Sequence, residues 1–486
     1  MTDKIPTKDV TPKTIDPKNI DSKNIGAQNT AGGGSLYAQR EHIYVRRIKG
    51  TFQKLRGLFN WLLMLLYFGT VWLQYDGRQA IFFDLPNRQF HIFGATFFPQ
   101  DFVLLAWLLI ICAFGLFFIT NFAGRVWCGY TCPQSVWTFL FIWAEDVTEG
   151  SPNKRRKLDH QPMSRDKLTR KSAKHAIWLL IAAATAITFV GYFSPIRQLI
   201  PNIFAFDLGS WEMWWLGFFT FFTYLNAGWL REQVCIYMCP YARFQSVMFD
   251  RDTLIVSYDQ ERGEPRGARK KSADHKAQGL GDCIDCNLCV QVCPTGIDIR
   301  DGLQYECITC AACVDACDQV MEKMGYAPGL ISYTTENEQE GRKSRILRPR
   351  LIGYFMVLVG MIAAFTFAVG TRVPAELEVL RDRNQLLRMT DSGEIENSYR
   401  VKIANMTQQP RAFELSVSGI PGIELKGTRS IQLGPNEVRE FLVQLIVDPD
   451  AMQAPAQDVL MTAVSDEGST PISISKKSRF IGQVQR

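Results

Sequence analysis

Histidine is scarce in this chain, with 5 among 486 residues. His42, His91, His160, His175 and His275 form no His-x3-His pair on a helix, a spacing by which two membrane helices commonly hold haem, so no haem site is expected. A lone histidine such as His91 reads as structural. No glycine-rich phosphate loop is present, and no Ser-His-Asp arrangement can be argued from spacing. No apolar stretch lies near Met1, so no cleavable signal peptide is expected. Cysteine is missing from the last part of the chain, 371–486. Neither sign of charge dominates: the net charge of +6 is modest for this length and gives no reason to expect a nucleic-acid partner.

What is present is sharply segregated. Residues 1–35 are polar, with a loose Ile-Asp-Pro-Lys-Asn-Ile repeat, and are expected to be disordered because they cannot bury a core. The 36–57 segment is basic and interleaved with Ile43, Tyr44, Val45 and Phe52; lying just before an apolar run, it reads as a membrane-surface segment. Spanning a bilayer takes about 20 predominantly apolar residues. Five runs meet that need: Leu58–Leu73, Phe102–Thr120, Ala176–Phe193, Trp211–Leu230 and Leu351–Gly370. Trp61, Tyr75, Tyr192, Trp211 and Trp229 stand near their ends, as an interfacial aromatic belt requires. Five buried helices of a soluble protein are the alternative, set aside because these runs lack a polar face.

Basic residues give the orientation. The 123–175 loop holds ten Lys or Arg, and Arg342, Lys343, Arg345, Arg348 and Arg350 precede the last span. The 74–101 connection holds only Arg78 and Arg88, and the 194–210 connection only Arg197. Because positive loops stay inside, the N-terminus, 123–175 and 231–350 are expected to be cytoplasmic and the tail after Gly370 outside. That tail alternates apolar and polar residues in Tyr399–Ile403, Phe413–Val417, Glu440–Val447 and Val459–Val464, separated by Pro and Gly turns, which predicts a small immunoglobulin-like β-sandwich over 371–486.

Thirteen cysteines carry the chemistry. Residues 283–294 read Cys-Ile-Asp-Cys-Asn-Leu-Cys-Val-Gln-Val-Cys-Pro, and residues 307–318 read Cys-Ile-Thr-Cys-Ala-Ala-Cys-Val-Asp-Ala-Cys-Asp. Both follow the bacterial ferredoxin spacing, in which the fourth cysteine of each run serves the other cluster. The spacing therefore predicts one [4Fe–4S] cluster on Cys283, Cys286, Cys289 and Cys317, and a second on Cys307, Cys310, Cys313 and Cys293, within a domain over 251–350. Zinc ribbons or a redox dithiol are the competing readings; zinc favours two separated pairs over two consecutive four-cysteine runs. Asp318 stands where the first run has Pro294, a departure that touches no ligand.

Cys128-Gly-Tyr-Thr-Cys132-Pro133 and Cys235-Ile-Tyr-Met-Cys239-Pro240 form two Cys-x3-Cys-Pro pairs, each just past an apolar run within the 58–250 region. Gln134-Ser135-Val136 and Gln245-Ser246-Val247 follow them, suggesting an internal duplication. Spacing of i, i+4 puts both sulfurs on one face if the backbone is helical, and the proline makes a helix boundary plausible. Such thiols could bind Cu(I), exchange dithiol for disulfide, ligate a further cluster, or simply pack. Met238 and Cys112 read as packing residues.

With Tyr44-Val45-Arg46-Arg47, Trp127-Cys128-Gly129-Tyr130-Thr131-Cys132-Pro133-Gln134, Trp143-Ala144-Glu145, the second cysteine pair, the paired ferredoxin runs and the β-rich tail, the chain resembles the cytochrome c oxidase accessory proteins of the CcoG/FixG type, also called RdxA. The likeness covers about residues 36–486. It implies an α-helical protein of the bacterial inner membrane with five transmembrane helices (the last over 351–370), an inserted two-cluster ferredoxin-like domain and a periplasmic immunoglobulin-like domain. It implies a cupric reductase that supplies Cu(I) to a cbb3-type oxidase or its copper-assembly proteins, fed by a cytoplasmic electron donor. Cys128, Cys132, Cys235 and Cys239 would then bind copper or form its reduction site. Two other functions compete: a ferredoxin-type subunit moving electrons between a quinol pool and another reductase, and a non-catalytic assembly factor.

Overall fold

Helix α1 (Thr51–Thr70) shows how the apolar runs are used. Its buried side chains, Arg56, Asn60 and Met64, recur every four residues and form one stripe. Leu58, Trp61, Leu62 and Leu65 on its other faces are exposed. Polar residues inside and large apolar residues outside invert the pattern of a water-soluble helix and suit a lipid surround. The stripe also corrects the expectation that these runs carry no polar face. No side chain of α1 caps its N-terminus; instead the Asp315 carboxylate, from far along the chain, accepts from the backbone N–H groups of Phe52 (3.2 Å) and Gln53 (2.7 Å). A Cβ on Gly50 would stand 2.1 Å from the Asp315 Cγ, so only glycine leaves room for that cap.

These coordinates are a computed structural model that describes residues 43–382, 387–390, 392–466 and 471–482. The 1–35 segment, and residues 36–42 of the basic segment, lie outside the described residues. After α1 come α2 (Phe102–Ala123), α3 (Val126–Tyr130), α4 (Pro133–Thr148), α5 (Pro152–His160), α6 (Arg165–Val190), α7 (Ile196–Ala205) and α8 (Ser210–Thr223). A π-helical stretch Tyr224–Leu230 continues α8, a second π-turn covers Val234–Met238, and α9 runs Pro240–Met248. A long helix, Pro349–Gly370, packs on α2 through Trp107 against Phe365 and Phe118 against Phe355.

Among the described residues, three helices are long and apolar enough to cross a membrane: α2, α6 and Pro349–Gly370. The five expected spans are thus matched in part. Helix α1 carries Lys54 and Arg56 in its first turns, and the α-helical run of α8 stops at Thr223 where the π-helix begins. The 123–175 loop is not a loop; it folds into α3, α4, α5 and the start of α6. A buried charge network ties these together. Glu145 on α4 bonds Arg155 at 2.5 Å and pairs with Arg231, while Glu149 holds Lys171 and Lys174 at 3.1 Å each. Tyr44 Oη donates to Asp159 at 2.7 Å, drawing the basic segment onto α5. The 74–101 connection folds into short antiparallel strands, with His91 buried between Arg78 and Thr96.

The cysteine-rich segment is closed by one antiparallel pair, Ile255–Tyr258 with Ile331–Thr334. The tail is a sandwich. One sheet runs Glu424–Gly427, Val438–Val447, Ile395–Asn405, Ala375–Arg381, with Arg388–Met389 beside Ile395–Asn405; the other runs Ser430–Leu433, Arg411–Ser418, Ala456–Ser465, Ile472–Ile481. The four predicted strands fall inside four of these. Alternate residues (Tyr399, Val401, Ile403, Phe413, Leu445, Met461, Phe480) fill the core between the sheets. Tyr399 Oη donates to the Arg479 carbonyl at 2.9 Å, linking the two layers.

Candidate functional site

The two cysteine-rich runs fold as copies. In each, the residue before the second cysteine and the residue after it take left-handed backbone: Asp285 and Asn287 in one, Thr309 and Ala311 in the other. Asn287 and Ala311 then open the helices Leu288–Gln291 and Ala312–Met324. The runs interleave. Burial first, then the nearness of Cys289, Cys283 and Cys286, pushes the Cys317 thiol up to about 12. Cys307 is likewise pushed up to about 12 by burial, with Cys310 and Cys293 beside it, and Cys313 is raised by burial with Cys310, Cys307 and Cys293 near. Cys289 of the first run stands near Cys313 as well, so the two sets lie side by side. Among the described residues no three His, Cys, Asp or Glu side chains gather about a single-ion site; a cubane, whose sulfurs stand outward from four separate irons, does not ask them to. Eight soft thiols in two sets of four fit the donor chemistry of two [4Fe–4S] clusters. Asp318, the departure from the first copy, accepts from the Gly329 N–H at 2.7 Å and so anchors a turn. Cys286 is exposed, whereas Cys310 is buried.

The Cys-x3-Cys-Pro pairs also fold alike, and not on one helix. Cys128 lies in α3 and Cys235 in the Val234–Met238 π-turn, but Cys132 and Cys239 have extended backbone and precede α4 and α9, each begun by the proline. In both, the second cysteine's N–H reaches back five residues, Cys132 to the Trp127 carbonyl (2.9 Å) and Cys239 to that of Val234 (2.8 Å). The pairs lie near each other, but among the described residues no three of these thiols gather about one ion. The Cys235 thiol is pushed up to about 12 by burial and by nearby Cys132, Cys128 and Cys239, and Cys128 up to about 11 by burial, eased by Arg125 and raised again by Cys132 and Cys239. Without metal Cys128 and Cys235 are thiols at neutral pH, and metal binding there must release their protons. Met238 and Cys112, expected to pack, are exposed.

The matching Gln-Ser-Val phrases turn out to cross between the repeats. Gln134 Nε2 donates to the carbonyls of Asn226 (2.9 Å) and Arg231 (3.1 Å) in the second repeat. Gln245 is 0 % exposed; its Oε1 accepts from Cys128 Sγ (3.2 Å) and Arg125 Nε (3.1 Å), and its Nε2 donates to Thr120 Oγ1 (3.2 Å), all in the first. Sequence reading found the phrase but not this role.

The first pair rests on the second cysteine-rich run, and the second pair on Tyr305 just before it. Cys128 shares a buried cluster with Ile308 and Cys310, against which Cys313 packs. A Cβ on Gly129 would lie 2.7 Å from the Ile308 carbonyl oxygen and 3.0 Å from Cys310 Cα, so the Cys128 turn touches that backbone only because residue 129 is glycine. Arg125 is buried, donates its Nη1–H to the Tyr305 carbonyl at 2.5 Å, and donates its backbone N–H to Thr309 Oγ1 at 3.2 Å. Tyr305 Oη donates to the Ile236 carbonyl, inside the second pair, at 3.1 Å. None of Arg125, Gly129 and Tyr305 stood out in the sequence, because their partners are more than 60 residues away.

Comparison with known proteins agrees with this architecture. Residues 230–336 match the family described as a 4Fe-4S dicluster domain, and residues 365–483 match an IG-like fold at the C-terminal of FixG. The chain is 38 % identical over 434 residues to the nitrogen fixation protein FixG of Rhizobium meliloti, covering 81 % of this chain and 82 % of that one. It is 35 % identical to protein RdxA of Cereibacter sphaeroides, covering 87 % and 93 %. A crystal structure of a FixG-related protein from Vibrio parahaemolyticus is 34 % identical and covers 22 % of this chain and 95 % of its own, with a TM-score of 0.21. The chain belongs to the FixG/RdxA family and is an iron–sulfur electron-transfer protein.

Proposed function

We propose that this protein passes electrons from its cysteine-rich domain to the four-cysteine site and reduces Cu(II) to Cu(I) there, in the maturation of a cbb3-type cytochrome c oxidase. Cys283, Cys286, Cys289 and Cys317 hold one cluster, and Cys307, Cys310, Cys313 and Cys293 the other. When bound, the two cubanes supply one-electron transfer, one electron for each Cu(II) reduced, replenished by a low-potential cytoplasmic donor. Exposed Cys286 supports entry of electrons on the first set's side, and the contact of Gly129 with the Cys310 backbone supports exit from the second set toward Cys128. Cys128, Cys132, Cys235 and Cys239 bind copper: soft thiolates favour Cu(I) over Cu(II), which makes the reduced ion the better-held product. Gln245 and Arg125 orient the Cys128 sulfur.

In this reading all five apolar helices cross a bacterial inner membrane. The N-terminus and cysteine-rich domain are cytoplasmic and the sandwich periplasmic, within reach of the oxidase or its copper-assembly proteins. The exposed apolar faces of α1 and α8 support the two shorter spans. The observation that carries the function is the buried core that Cys128 shares with Cys310. The test is purified, reduced protein mixed with Cu(II) and a Cu(I)-specific chromophore. Cu(I) should form with wild type and fail in Cys128→Ser/Cys132→Ser whose cluster resonance is intact. Unchanged copper reduction in that variant, together with quinol turnover, would move the assignment to the quinol-linked subunit.

A further inference from the structure

Between the Val45–Arg56 stretch, α4 and the Pro294-Thr295 turn lies a cavity of about 170 Å³. Its wall carries Arg46, Arg47, Arg56 and Arg231, a single acid, Glu232, and Cys235 of the second pair. Three of the guanidinium groups have partners: Arg46 donates to Gln291, Arg47 pairs with Asp146, and Arg231 with Glu145. Arg56 differs. It is 8 % exposed, lies 5.7 Å over the Phe139 ring, has no carboxylate partner among the described residues, and its Nε bonds nothing. A buried guanidinium with an unfilled Nε–H is costly to keep, and a carboxylate or phosphate fills it with a charge-assisted bond. The surplus of positive charge makes the cavity attractive to an anion and unfavourable to a bare divalent cation. Yet its wall includes a thiol of the proposed copper site and, through Pro294 and Thr295, the flank of Cys293.

We propose that this cavity binds a small oxyanion, a carboxylate or phosphate group gripped by Arg56, and that copper reaches Cys235 as an anionic chelate seated there. The anion site stands by itself; delivery of copper as its chelate rests on the function proposed above. The oxyanion is either a free solute or the headgroup of an anionic lipid, since Arg56 sits on the first membrane helix.

The test titrates the full-length protein, in phosphatidylcholine nanodiscs, with citrate and with inorganic phosphate by calorimetry. Saturable binding is expected for at least one, weakened about tenfold or more in Arg56→Gln and retained in Arg56→Lys, with cluster absorbance unchanged. Phosphatidylglycerol in the nanodisc abolishes the titration if a headgroup fills the site and leaves it intact if a free solute does. No saturable binding by wild type in phosphatidylcholine, and no difference between wild type and Arg56→Gln in retained phosphatidylglycerol, overturns the site. Delivery is read by comparing reduction of Cu(II)–citrate with that of neutral Cu(II) bis-glycinate. Wild type should prefer the anionic complex, and Arg56→Gln should lose the preference. Equal rates alongside intact anion binding refute delivery alone, and no reduction of either refutes the copper function while the calorimetry still decides the site.

Discussion

Gln245 is the residue on which the two repeats meet. Its amide satisfies Arg125, Cys128 and Thr120 at once, all in a buried setting. Removing it leaves a buried guanidinium short of an acceptor, so Gln245→Ala should lower stability by about 1–3 kcal/mol. It should also weaken Cu(I) binding, because the Cys128 sulfur loses its orienting acceptor; thermal denaturation and competitive Cu(I) titration measure the two effects separately. The cluster ligands make a sharper prediction. Cys293→Ser should abolish the resonance of the cluster held by Cys307, Cys310 and Cys313 and spare the one held by its own run, since Cys293 neighbours Cys307, Cys310 and Cys313. Electron paramagnetic resonance showing the opposite loss would refute the crossed assignment. Crossed ligation is an expectation from the spacing, which the Cys293 variant tests; the crossing glutamines were legible only as a repeated phrase, because a hydrogen bond across more than 90 residues leaves no periodic trace.

At the scale of elements, the 74–101 connection illustrates how little a short polar stretch announces. Apolar content pointed to neighbouring helices, while the meander Ile81–Asp84, Gln89–Ile92, Ala95–Phe97 depends on turns that a lone sequence marks weakly. His91 within it is held down to about 4, from 6.5, by burial first and by the adjacent Arg78 second. The unfolded imidazole takes a proton near its ordinary value while the folded one stays neutral, so stability is full above pH 6.5 and falls as the pH drops toward 4. Unfolding of the 74–101 region followed across that window should show this loss, and His91→Gln should flatten it. The π-turns belong to the same scale. Tyr224–Leu230 and Val234–Met238 break what composition presents as one long apolar helix, and they bring Cys235 toward Cys128.

At the scale of the whole molecule, the contact between the cysteine-rich domain and the membrane helices is what makes a chain of redox groups possible. Gly129→Ala puts a methyl 2.7 Å from the Ile308 carbonyl oxygen, a backbone atom that cannot swing aside. Both clusters should survive in this variant, while electron transfer from reduced protein to Cu(II) slows about tenfold or more, as the Cys128 turn is forced off the Cys310 loop. Stopped-flow reoxidation at the cluster absorption band measures it, and a wild-type rate would mean that electrons leave by another face. Glu145 secures the same assembly from behind. Deleting its carboxylate strands Arg231 in the interior, while Arg155 keeps Asp146 and the Val45 carbonyl, and Glu145→Ala should cost about 3–5 kcal/mol in chemical denaturation.

The amino-acid sequence alone determined which residues can hold metal, which runs can meet lipid and which strands alternate, because cysteine spacing, apolar length and period-two patterning are local and survive without a fold. Tertiary structure decided the rest. Asp315 caps α1, Gly50 and Gly129 leave room for close backbones, Gln134 and Gln245 join the repeats, and Cys128 packs beside Cys310. Each of these joins residues distant along the chain, and a contact of that kind exists only once burial has brought both partners out of water together.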